Sequence, residues 1–359
     1  MNARVAVVLL VLLAALGGGA LLVRQQAGSQ KPAGAAALGQ PLFKGLQAAD
    51  VAAIVIRQPK GALTIVRQGE RWTIAERDGF PADFDKVREF VLKAISLKVG
   101  QSEPIGDQDR ARLNLDASGT AVEFLGAGGK PLARLALGRK YFKAEPQNSD
   151  QAIGDGRYVA LPEDAKRVIV VSDPLAQAST RTADWISKAG IAAEKVKSLE
   201  VRDPPGAPTG SSWRIERSGD NADWKLAGLG AGEKLEITRA NAAGYTFSQI
   251  ELADVAPKDV KAEDTGLAKP SVVTATTLDG LTYTLKLGNP AGDNVYASIA
   301  VTGEPKPEGK DAEERLKKIN ERLPRERALA GYTVLIAKSK LEDILRKRAD
   351  LLAKKDAKK

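Results

Sequence analysis

The stretch that decides the fold covers residues 272–287 and reads Val-Val-Thr-Ala-Thr-Thr-Leu, then Asp279-Gly280, then Leu-Thr-Tyr-Thr-Leu-Lys-Leu. Apolar and polar residues alternate over much of both arms, and β-branched residues are frequent in them. A period of two is typical of strands that bury one face, and Asp-Gly between two such strands favours a tight hairpin. This stretch therefore predicts two neighbouring antiparallel strands.

An earlier stretch has the same organisation, with strand-like residues 121–125 and 132–137 around the glycine-rich turn 126–129. Both hairpins end in Leu-Gly. Other landmarks recur at a nearly constant distance along the chain: Trp72 and Trp224 lie 152 residues apart, Leu115 and Leu267 lie 152 apart, and Gly138 and Gly288 lie 150 apart. Such an offset indicates an internal repeat of a whole structural unit.

Each copy is also predicted to contain one main helix. In the first copy, Asp83 is a suitable N-cap for a run in which apolar residues from Phe84 to Ile95 recur at helical spacing. In the second copy the corresponding run covers residues 238–252. The sequence therefore predicts an α+β fold, with an N-terminal transmembrane helix followed by two tandem repeats of an antiparallel-sheet-plus-helix domain, residues 46–190 and 191–359.

Two segments depart from the repeat. A charged insertion over residues 303–330, with a helix expected at 311–321, is either a solvated excursion or a docking element. The chain then ends in what we expect to be a basic helix, because nine Lys/Arg stand against four Asp/Glu over residues 338–359. That helix would either pack on the second repeat or contact anionic lipid or a partner. Its apolar side would be formed by Leu341, Ile344, Leu345, Leu351 and Leu352.

The N-terminal segment is the longest apolar run. Nineteen uncharged residues begin with Val5 and end with Val23, between Arg4 and Arg24. As a helix they would span about 28 Å, close to the thickness of a bilayer core. Residues 1–24 are therefore predicted to be a transmembrane anchor in the lipid bilayer, and residues 25–45 a flexible linker. A cleaved signal peptide is the alternative; both interpretations export the remainder of the chain.

Composition restricts the chemistry of the 359 residues. With no cysteine and no histidine, thiolate nucleophiles, Ser-His-Asp triads and most transition-metal sites are excluded. Apolar residues make up 43% and charged residues 28%, which is typical of globular domains. Of the formal net charge of +9, the last 22 residues contribute +5, so the sequence gives no indication of nucleic-acid binding.

Several of these features together resemble the family known as domain of unknown function 4340. The matching features are the apolar N-terminal segment, the strand before Gln68-Gly69-Glu70-Arg71-Trp72, the helix opening Phe80-Pro81-Ala82-Asp83, and the turn Leu113-Asn114-Leu115-Asp116 before a hairpin that ends in Leu-Gly-Arg139.

The resemblance implies a bacterial envelope protein that accompanies ABC-type transport systems similar to the gliding-motility auxiliary components. With the apolar N-terminal segment, we then expect a single pass through the bacterial inner membrane, with the bulk of the chain in the periplasm or another extracytoplasmic space. A transporter permease or another envelope protein would then be the partner. The resemblance carries no catalytic residue.

Aromatic side chains are the candidates for contact with a partner. Trp72, Trp213 and Trp224 could form a platform for glycan or peptide, or could be strand residues half-buried in each sheet. Tyr141 and Phe142 stand between two lysines just after a predicted strand and are candidates for surface contact. No catalytic residue, metal site or cofactor is predicted.

Three functions are compatible with the sequence. The first is a non-enzymatic accessory protein anchored in the membrane and binding a partner in the envelope. The second is a module that binds cell wall or a small ligand in a groove between the repeats. The third is a carboxylate-dependent hydrolase, which would need two Asp/Glu in one cleft with opposed environments.

Overall fold

A computed structural model describes residues 38–144, 146–148, 151–204, 206–207 and 212–354. The predicted anchor, residues 1–24, and most of the predicted linker lie outside the described residues. No helix among the described residues combines the length and the apolar character needed to cross a membrane.

Strands make up most of the regular structure. The first nine are β1 (Ala53–Gln58), β2 (Gly61–Gln68), β3 (Arg71–Ile74), β4 (Phe80–Pro81), β5 (Val99–Pro104), β6 (Thr120–Leu125), β7 (Pro131–Tyr141), β8 (Gly156–Ala160) and β9 (Arg167–Val171). The later ones are β10 (Ala189–Ile191), β11 (Val196–Arg202), β12 (Trp213–Glu216), β13 (Lys225–Leu226), β14 (Ile250–Glu251), β15 (Asp254–Val255), β16 (Ser271–Thr277), β17 (Thr282–Ala291), β18 (Asn294–Thr302) and β19 (Thr333–Ala337).

Helices are few and mostly short. The α-helices of the described residues are α1 (Phe84–Ile95), α2 (Asp107–Arg112), α3 (Ile237–Thr246), α4 (Ala262–Thr265) and α5 (Ala312–Ala328). Short 3-10 turns connect several of the strands.

The strands form two large antiparallel sheets with the same order. The first runs β4-β3-β2-β1-β6-β7-β8-β9-β5 and the second β13-β12-β11-β16-β17-β18-β19-β15, while β10 and β14 form a separate pair. Apart from the additional strand β4, every strand of the first sheet has a counterpart at the same place in the second.

The chain divides into two compact units. One comprises the described residues up to Ala62 together with Asp85–Thr180, and the other comprises Leu63–Phe84 together with Arg181 onward. The second unit therefore contains the whole eight-stranded sheet, with α3, α5 and the C-terminal segment.

The α+β class expected from the sequence is wrong, because the described residues form mostly antiparallel sheet with few helices. Helices form near the predicted positions 83–95, 238–252 and 311–321, but each is short beside the sheet that it accompanies. Because strands make up most of the regular structure, the described fold is mainly β. The transmembrane helix that formed part of the same expectation falls on undescribed residues.

The predicted C-terminal helix is also absent from the described residues. The segment forms turns and two 3-10 helices, Lys338–Lys340 and Arg348–Leu351. The backbone near its end bonds to another segment instead, since the Glu236 amide donates to the Leu351 carbonyl at 2.9 Å and the Ala353 amide to the Lys234 carbonyl at 2.9 Å. An α-helix would use those groups internally.

The helix of the charged insertion is longer than predicted. It runs over α5, through Pro324, and buries Ile319 and Leu323. Two charged residues of the same helix, Arg315 and Glu326, are also buried. The helix is therefore packed into the second unit along one side and is not a fully solvated excursion.

Alternation along the strands builds the core. In β17, Tyr283, Leu285 and Leu287 are buried while Thr282 and Thr284 are partly exposed. One face of the strand thus enters the core, as the period of two in the sequence predicts.

Helix α1 follows the corresponding rule for helices. Its buried residues are Val87, Phe90, Val91 and Ala94, at the i, i+3, i+4, i+7 positions. The ring of Phe90 stacks on that of Phe124 in β6, with the centroids 5.9 Å apart. This contact fixes α1 on the sheet of the first unit.

Candidate functional site

The three tryptophans proposed as a contact platform are core residues. Trp72 is 7% exposed, Trp213 is 4% exposed and Trp224 is 5% exposed. The Trp213 indole donates a hydrogen bond to the Arg346 carbonyl at 2.8 Å. This bond connects β12 to the C-terminal segment, so Trp213 positions that segment from inside the unit.

Trp224 is enclosed by other groups of the second unit. The guanidinium of Arg217 lies 4.7 Å from the centre of its ring. On the helix side, a Cβ added to Gly244 would come within 2.6 Å of the ring. Glycine at this position of α3 therefore allows the helix to approach Trp224 closely.

Tyr141 and Phe142 lie at the end of β7 and are partly exposed. The ring of Tyr141 meets that of Tyr158 edge to face, with the centroids 5.6 Å apart. These residues belong to the first unit and the tryptophans to the second. Partner contact at Tyr141 and Phe142 stays a prediction.

A groove of about 560 Å³ opens in the second unit, at a place that no sequence motif indicated. Leu287, Gly288 and Val295 from β17 and β18 line one side of it. Lys338, Glu342 and Arg346 of the C-terminal segment line the other side. Pro290 and Leu345 add apolar surface. We call this the β17–β19 groove.

An irregularity in β17 shapes the groove. The pairing with β18 shifts between Leu287 and Pro290, so that Leu287 lies opposite Ala297 and Pro290 opposite Val295. Gly288 falls within this shift. A Cβ there would lie 1.9 Å from the Thr265 carbonyl oxygen, so a larger residue does not fit. The bulge therefore depends on a glycine packed against the end of α4.

The opposite wall is fixed by hydrogen bonds. The Lys338 amide donates to the Asp293 carbonyl at 3.0 Å, and its ammonium donates to the Gly292 carbonyl at 2.7 Å. Arg346 is held through its own carbonyl by Trp213. Both ends of the wall are thus attached to the sheet, which makes the groove a preformed feature.

Of the charged side chains that line the groove, some have hydrogen-bond partners and one has none. The guanidinium of Arg346 donates to the Asp343 carboxylate at 3.0 and 3.1 Å. The Lys338 ammonium donates to the Gly292 carbonyl. Within the described part of the chain, Glu342 has no hydrogen bond or ion pair, and its side chain is exposed. The groove can therefore offer one unpaired carboxylate beside apolar surface.

Two buried charged clusters lie elsewhere in the second unit. Glu326 of α5 accepts hydrogen bonds from the Ala192 amide at 2.9 Å and from the Tyr283 hydroxyl at 3.1 Å. Arg315 donates to the Asp279 carboxylate at 3.2 Å and also bonds Asp311. The carboxylates of both clusters have partners within the unit, while the buried Nε of Arg315 has no hydrogen-bond partner among the described residues. Both clusters join α5 to the rest of the unit, which gives them a structural role.

Burial has the largest effect on the pKa of Glu326 and of Tyr283. It raises the pKa of Glu326, against the opposing effects of the Ala192 amide and the Arg322 guanidinium. It also raises the pKa of Tyr283, with the neighbouring Glu326 charge acting in the same direction. Tyr283 therefore remains a neutral hydrogen-bond donor to the carboxylate.

A smaller polar cavity of about 230 Å³ lies in the first unit. Lys44, Asp50, Arg134 and Glu163 line it, together with the other residues of the segment 42–47. The Arg134 guanidinium is already paired with Glu123 at 3.4 Å. The mixed charges of this cavity do not single out a ligand. Elsewhere, no cluster of three or more Asp or Glu suited to a metal ion occurs within the described ranges.

Comparison with known proteins gives one match. The family model described as Domain of unknown function (DUF4340) matches residues 72–270, which is more than half of the chain. Neither a curated protein nor a solved structure matches.

Proposed function

The chain belongs to the DUF4340 family, and on that premise we propose that it is a non-enzymatic binding protein of the cell envelope that holds a partner in the β17–β19 groove. The groove carries this proposal. Its volume of about 560 Å³ falls within the range of roughly 300–1,000 Å³ that is typical of ligand sites. Its lining combines apolar side chains with a few polar groups at fixed places, which is the usual composition of such sites.

The envelope location is supported by the sequence. The nineteen uncharged residues that begin with Val5 suit a single inner-membrane span, and the short basic segment before them favours export of the remainder to the periplasm. Within this proposal the partner is a membrane protein, of which an ABC-type transporter permease is the specific candidate.

A binding role suits the chemistry of the chain better than catalysis. With neither histidine nor cysteine, the sequence lacks the commonest general base and the strongest nucleophile. A hydrolase of the glycosidase type would require a pair of carboxylates across the bound substrate. Glu342 is the one carboxylate among the residues that line the groove.

Photo-crosslinking in intact cells tests the proposal. A photo-reactive phenylalanine analogue replaces Leu345, which lines the groove and is 45% exposed. The matched control replaces Leu92, which is 49% exposed on α1 of the first unit. We expect a crosslinked membrane protein from position 345 and a much weaker product from position 92. Equal yields at the two positions, or no product at 345, would contradict partner binding in the groove.

A fusion experiment tests the location separately. Alkaline phosphatase joined to the C-terminus is active only when it is exported. We expect activity with the whole chain and its loss when residues 1–24 are deleted. An inactive fusion of the whole chain would contradict the envelope location.

The second candidate function is capture of a small envelope ligand or a cell-wall fragment, which the size of the same groove also suits. The crosslinking experiment separates the two, because a small ligand would leave no protein product at position 345. Thermal shift of the purified protein with cell-wall fragments would then identify the ligand.

A further inference from the structure

The two large sheets share a pattern of strand pairing at the place where the β17–β19 groove opens in the second sheet. In the first sheet, Leu137 lies opposite Val159 and Lys140 opposite Arg157, with a register shift between the two pairs. In the second sheet, Leu287 lies opposite Ala297 and Pro290 opposite Val295, with a shift at the same place. Pair for pair, Arg157 of β8 therefore corresponds to Val295 of β18.

Glycine occupies the bulge of β7 and of β17. Gly138 and Gly288 each follow the corresponding leucine directly, and a Cβ on either would overlap a carbonyl oxygen, at 2.2 Å from Leu113 and at 1.9 Å from Thr265. The two glycines thus make the same close approach to the turn that precedes each hairpin. The backbone around Gly138 is therefore equivalent to that around Gly288. The side chains on the neighbouring strands differ, with Arg157 on β8 and Val295 on β18.

In the first unit an arginine occupies this position. The Arg157 guanidinium donates to the Gly138 carbonyl at 2.8 Å through Nε and to the Pro174 carbonyl at 3.1 Å through Nη1. Pro174 belongs to the segment that follows β9. The side chain therefore bridges the bulge of β7 to that segment, and burial lowers its pKa.

In the second unit the corresponding side chain is much shorter. Val295 ends far short of the reach of an arginine, and the β17–β19 groove opens beside it. The segment that follows β19 supplies the opposite wall, through Lys338, Glu342 and Arg346. The groove thus lies where the first unit places the guanidinium of Arg157.

We propose that the β17–β19 groove binds an arginine side chain of the partner protein, whose guanidinium takes in the second unit the position that Arg157 takes in the first. The guanidinium donates to the Gly288 carbonyl, the counterpart of the Gly138 carbonyl, and to the carboxylate of Glu342. This inference rests on the proposed function, since it names the chemistry by which the groove recognises its partner.

One charge of the groove is available to pair with a cation. The Arg346 guanidinium already bonds the Asp343 carboxylate, whereas the Lys338 ammonium bonds the neutral Gly292 carbonyl and keeps its positive charge. Glu342 is the charged group of the lining without a partner among the described residues. A guanidinium provides five donors in a planar fork, which suits a carbonyl and a carboxylate at once.

The groove has room for more than one side chain. An arginine stem and guanidinium fill only part of about 560 Å³. The apolar surface of Pro290 and Leu345 remains for the residues that flank the arginine. An arginine within an extended peptide segment therefore fits the groove better than the free amino acid.

Peptide binding to the detergent-purified full chain tests the inference. The probes are fluorescein-labelled Gly-Arg-Gly amide and the same peptide with citrulline, lysine or glutamate in place of arginine, followed by fluorescence anisotropy. Citrulline keeps the shape of arginine and removes the charge. We expect arginine to bind at least tenfold more tightly than citrulline and severalfold more tightly than lysine. Equal affinities for arginine and citrulline, or tighter binding of the glutamate peptide, would overturn the inference.

Two variants locate the binding. Val295→Arg builds the counterpart of Arg157 into the groove and should abolish arginine-peptide binding while the far-ultraviolet circular dichroism is retained. Glu342→Gln, at an exposed position, should weaken binding at least fivefold with little effect on folding. The matched control is Glu313→Gln on α5, outside the groove lining, which should leave the affinity unchanged. If Val295→Arg fails to fold, Glu342→Gln decides: unchanged affinity in that variant would overturn the inference.

The crosslinking experiment separates failure of this inference from failure of the proposed function. If arginine peptides do not bind and the product at position 345 persists in Val295→Arg cells, the inference fails while partner binding stands. If arginine peptides bind as expected and position 345 yields no protein in cells, the arginine chemistry stands and the envelope partner fails.

Discussion

The carboxylate of Glu326 accepts a hydrogen bond from the hydroxyl of Tyr283 at 3.1 Å, and both residues are fully buried. The bond joins α5 of the charged insertion to β17 of the second sheet. Arg322, one turn earlier on the helix, forms an ion pair with the same carboxylate at 3.4 Å. A segment that is highly charged in sequence is therefore fixed to the core by one of its own carboxylates.

Removing the Tyr283 hydroxyl should destabilise the second unit. Tyr283→Phe leaves one oxygen of a buried carboxylate without its donor, and we expect a loss of about 1–2 kcal/mol in the free energy of unfolding. Urea denaturation followed by tryptophan fluorescence measures it, because Trp213 and Trp224 lie in the same unit. Tyr245→Phe is the control, since Tyr245 is 77% exposed. A loss of similar size in both variants would contradict the assigned role.

Glu326 should make stability depend on pH. Burial raises the pKa of this carboxyl in the folded protein above its ordinary value of 4.5. The folded state therefore binds a proton more readily than the unfolded chain, and its stability rises as the pH falls from the raised pKa toward 4.5.

Comparison with Glu326→Gln isolates this effect, because glutamine does not titrate. Measured in urea at several pH values from neutral to 4.5, the stability difference between wild type and variant should shift in favour of the wild type as the pH falls. A difference that stays constant with pH, or that moves in favour of the variant, would show that the carboxyl has no raised pKa.

Alanine at the bulge of β17 should be strongly unfavourable. In Gly288→Ala the new Cβ would lie 1.9 Å from the Thr265 carbonyl oxygen, so strand and turn must separate. Overpacking of this kind costs about 1–3 kcal/mol. Thermal unfolding should show a lower midpoint, with Gly219→Ala as control because nothing lies within 4 Å of a Cβ there. An unchanged midpoint for Gly288→Ala would refute the close approach.

Trp213 should support the groove from within the core. Trp213→Phe removes both the indole donor to the Arg346 carbonyl and part of a buried ring, so we expect a stability loss of about 1–3 kcal/mol. Hydrogen exchange of the amides over residues 341–348 should accelerate in the variant, while exchange in β7 stays unchanged. Uniform acceleration across both regions would indicate general destabilisation and not a local attachment.

Arg157 should stabilise the fold of the first unit. Arg157→Met preserves the apolar stem and leaves the Gly138 and Pro174 carbonyls without their donor, which we expect to cost about 2 kcal/mol. Arg139→Met removes a neighbouring exposed arginine and serves as control. Chemical denaturation of both variants tests this, and equal stability would exclude a bridging role for Arg157.

The hairpin of residues 272–287 shows how much of the structure local sequence specifies. Strands β16 and β17 form as predicted, and Gly280 has a positive φ of 88°, as the Asp-Gly turn requires. Asp279, however, is 4% exposed and pairs with Arg315 of α5 at 3.2 Å. Its burial was not predictable, because the partner lies 36 residues away on an element that the hairpin does not specify.

The C-terminal segment shows the opposite case. Leu341, Ile344 and Leu351 of the predicted apolar side are fully buried, but Leu345 is 45% exposed and the predicted helix does not form. Backbone bonds to residues 234–236 hold the end of the segment in place, and helical spacing alone does not reveal such competitors. The β17–β19 groove depends on this segment and was therefore missed as well.

Alternation of apolar and polar residues, the Asp-Gly turn and the paired Leu-Gly landmarks determined the hairpin strands and their antiparallel pairing, because one face of each strand must leave water and a short turn joins the two strands of a hairpin. The pairing of β1 with β6 and of β11 with β16 joins strands far apart in the chain and was decided by the tertiary structure. The partners of Glu326 and Asp279, the course of the chain after β19, and the open space beside Val295 were decided by the tertiary structure. Each of these depends on contacts between residues far apart in the chain, and their free energies appear only once the packed sheet brings those residues together.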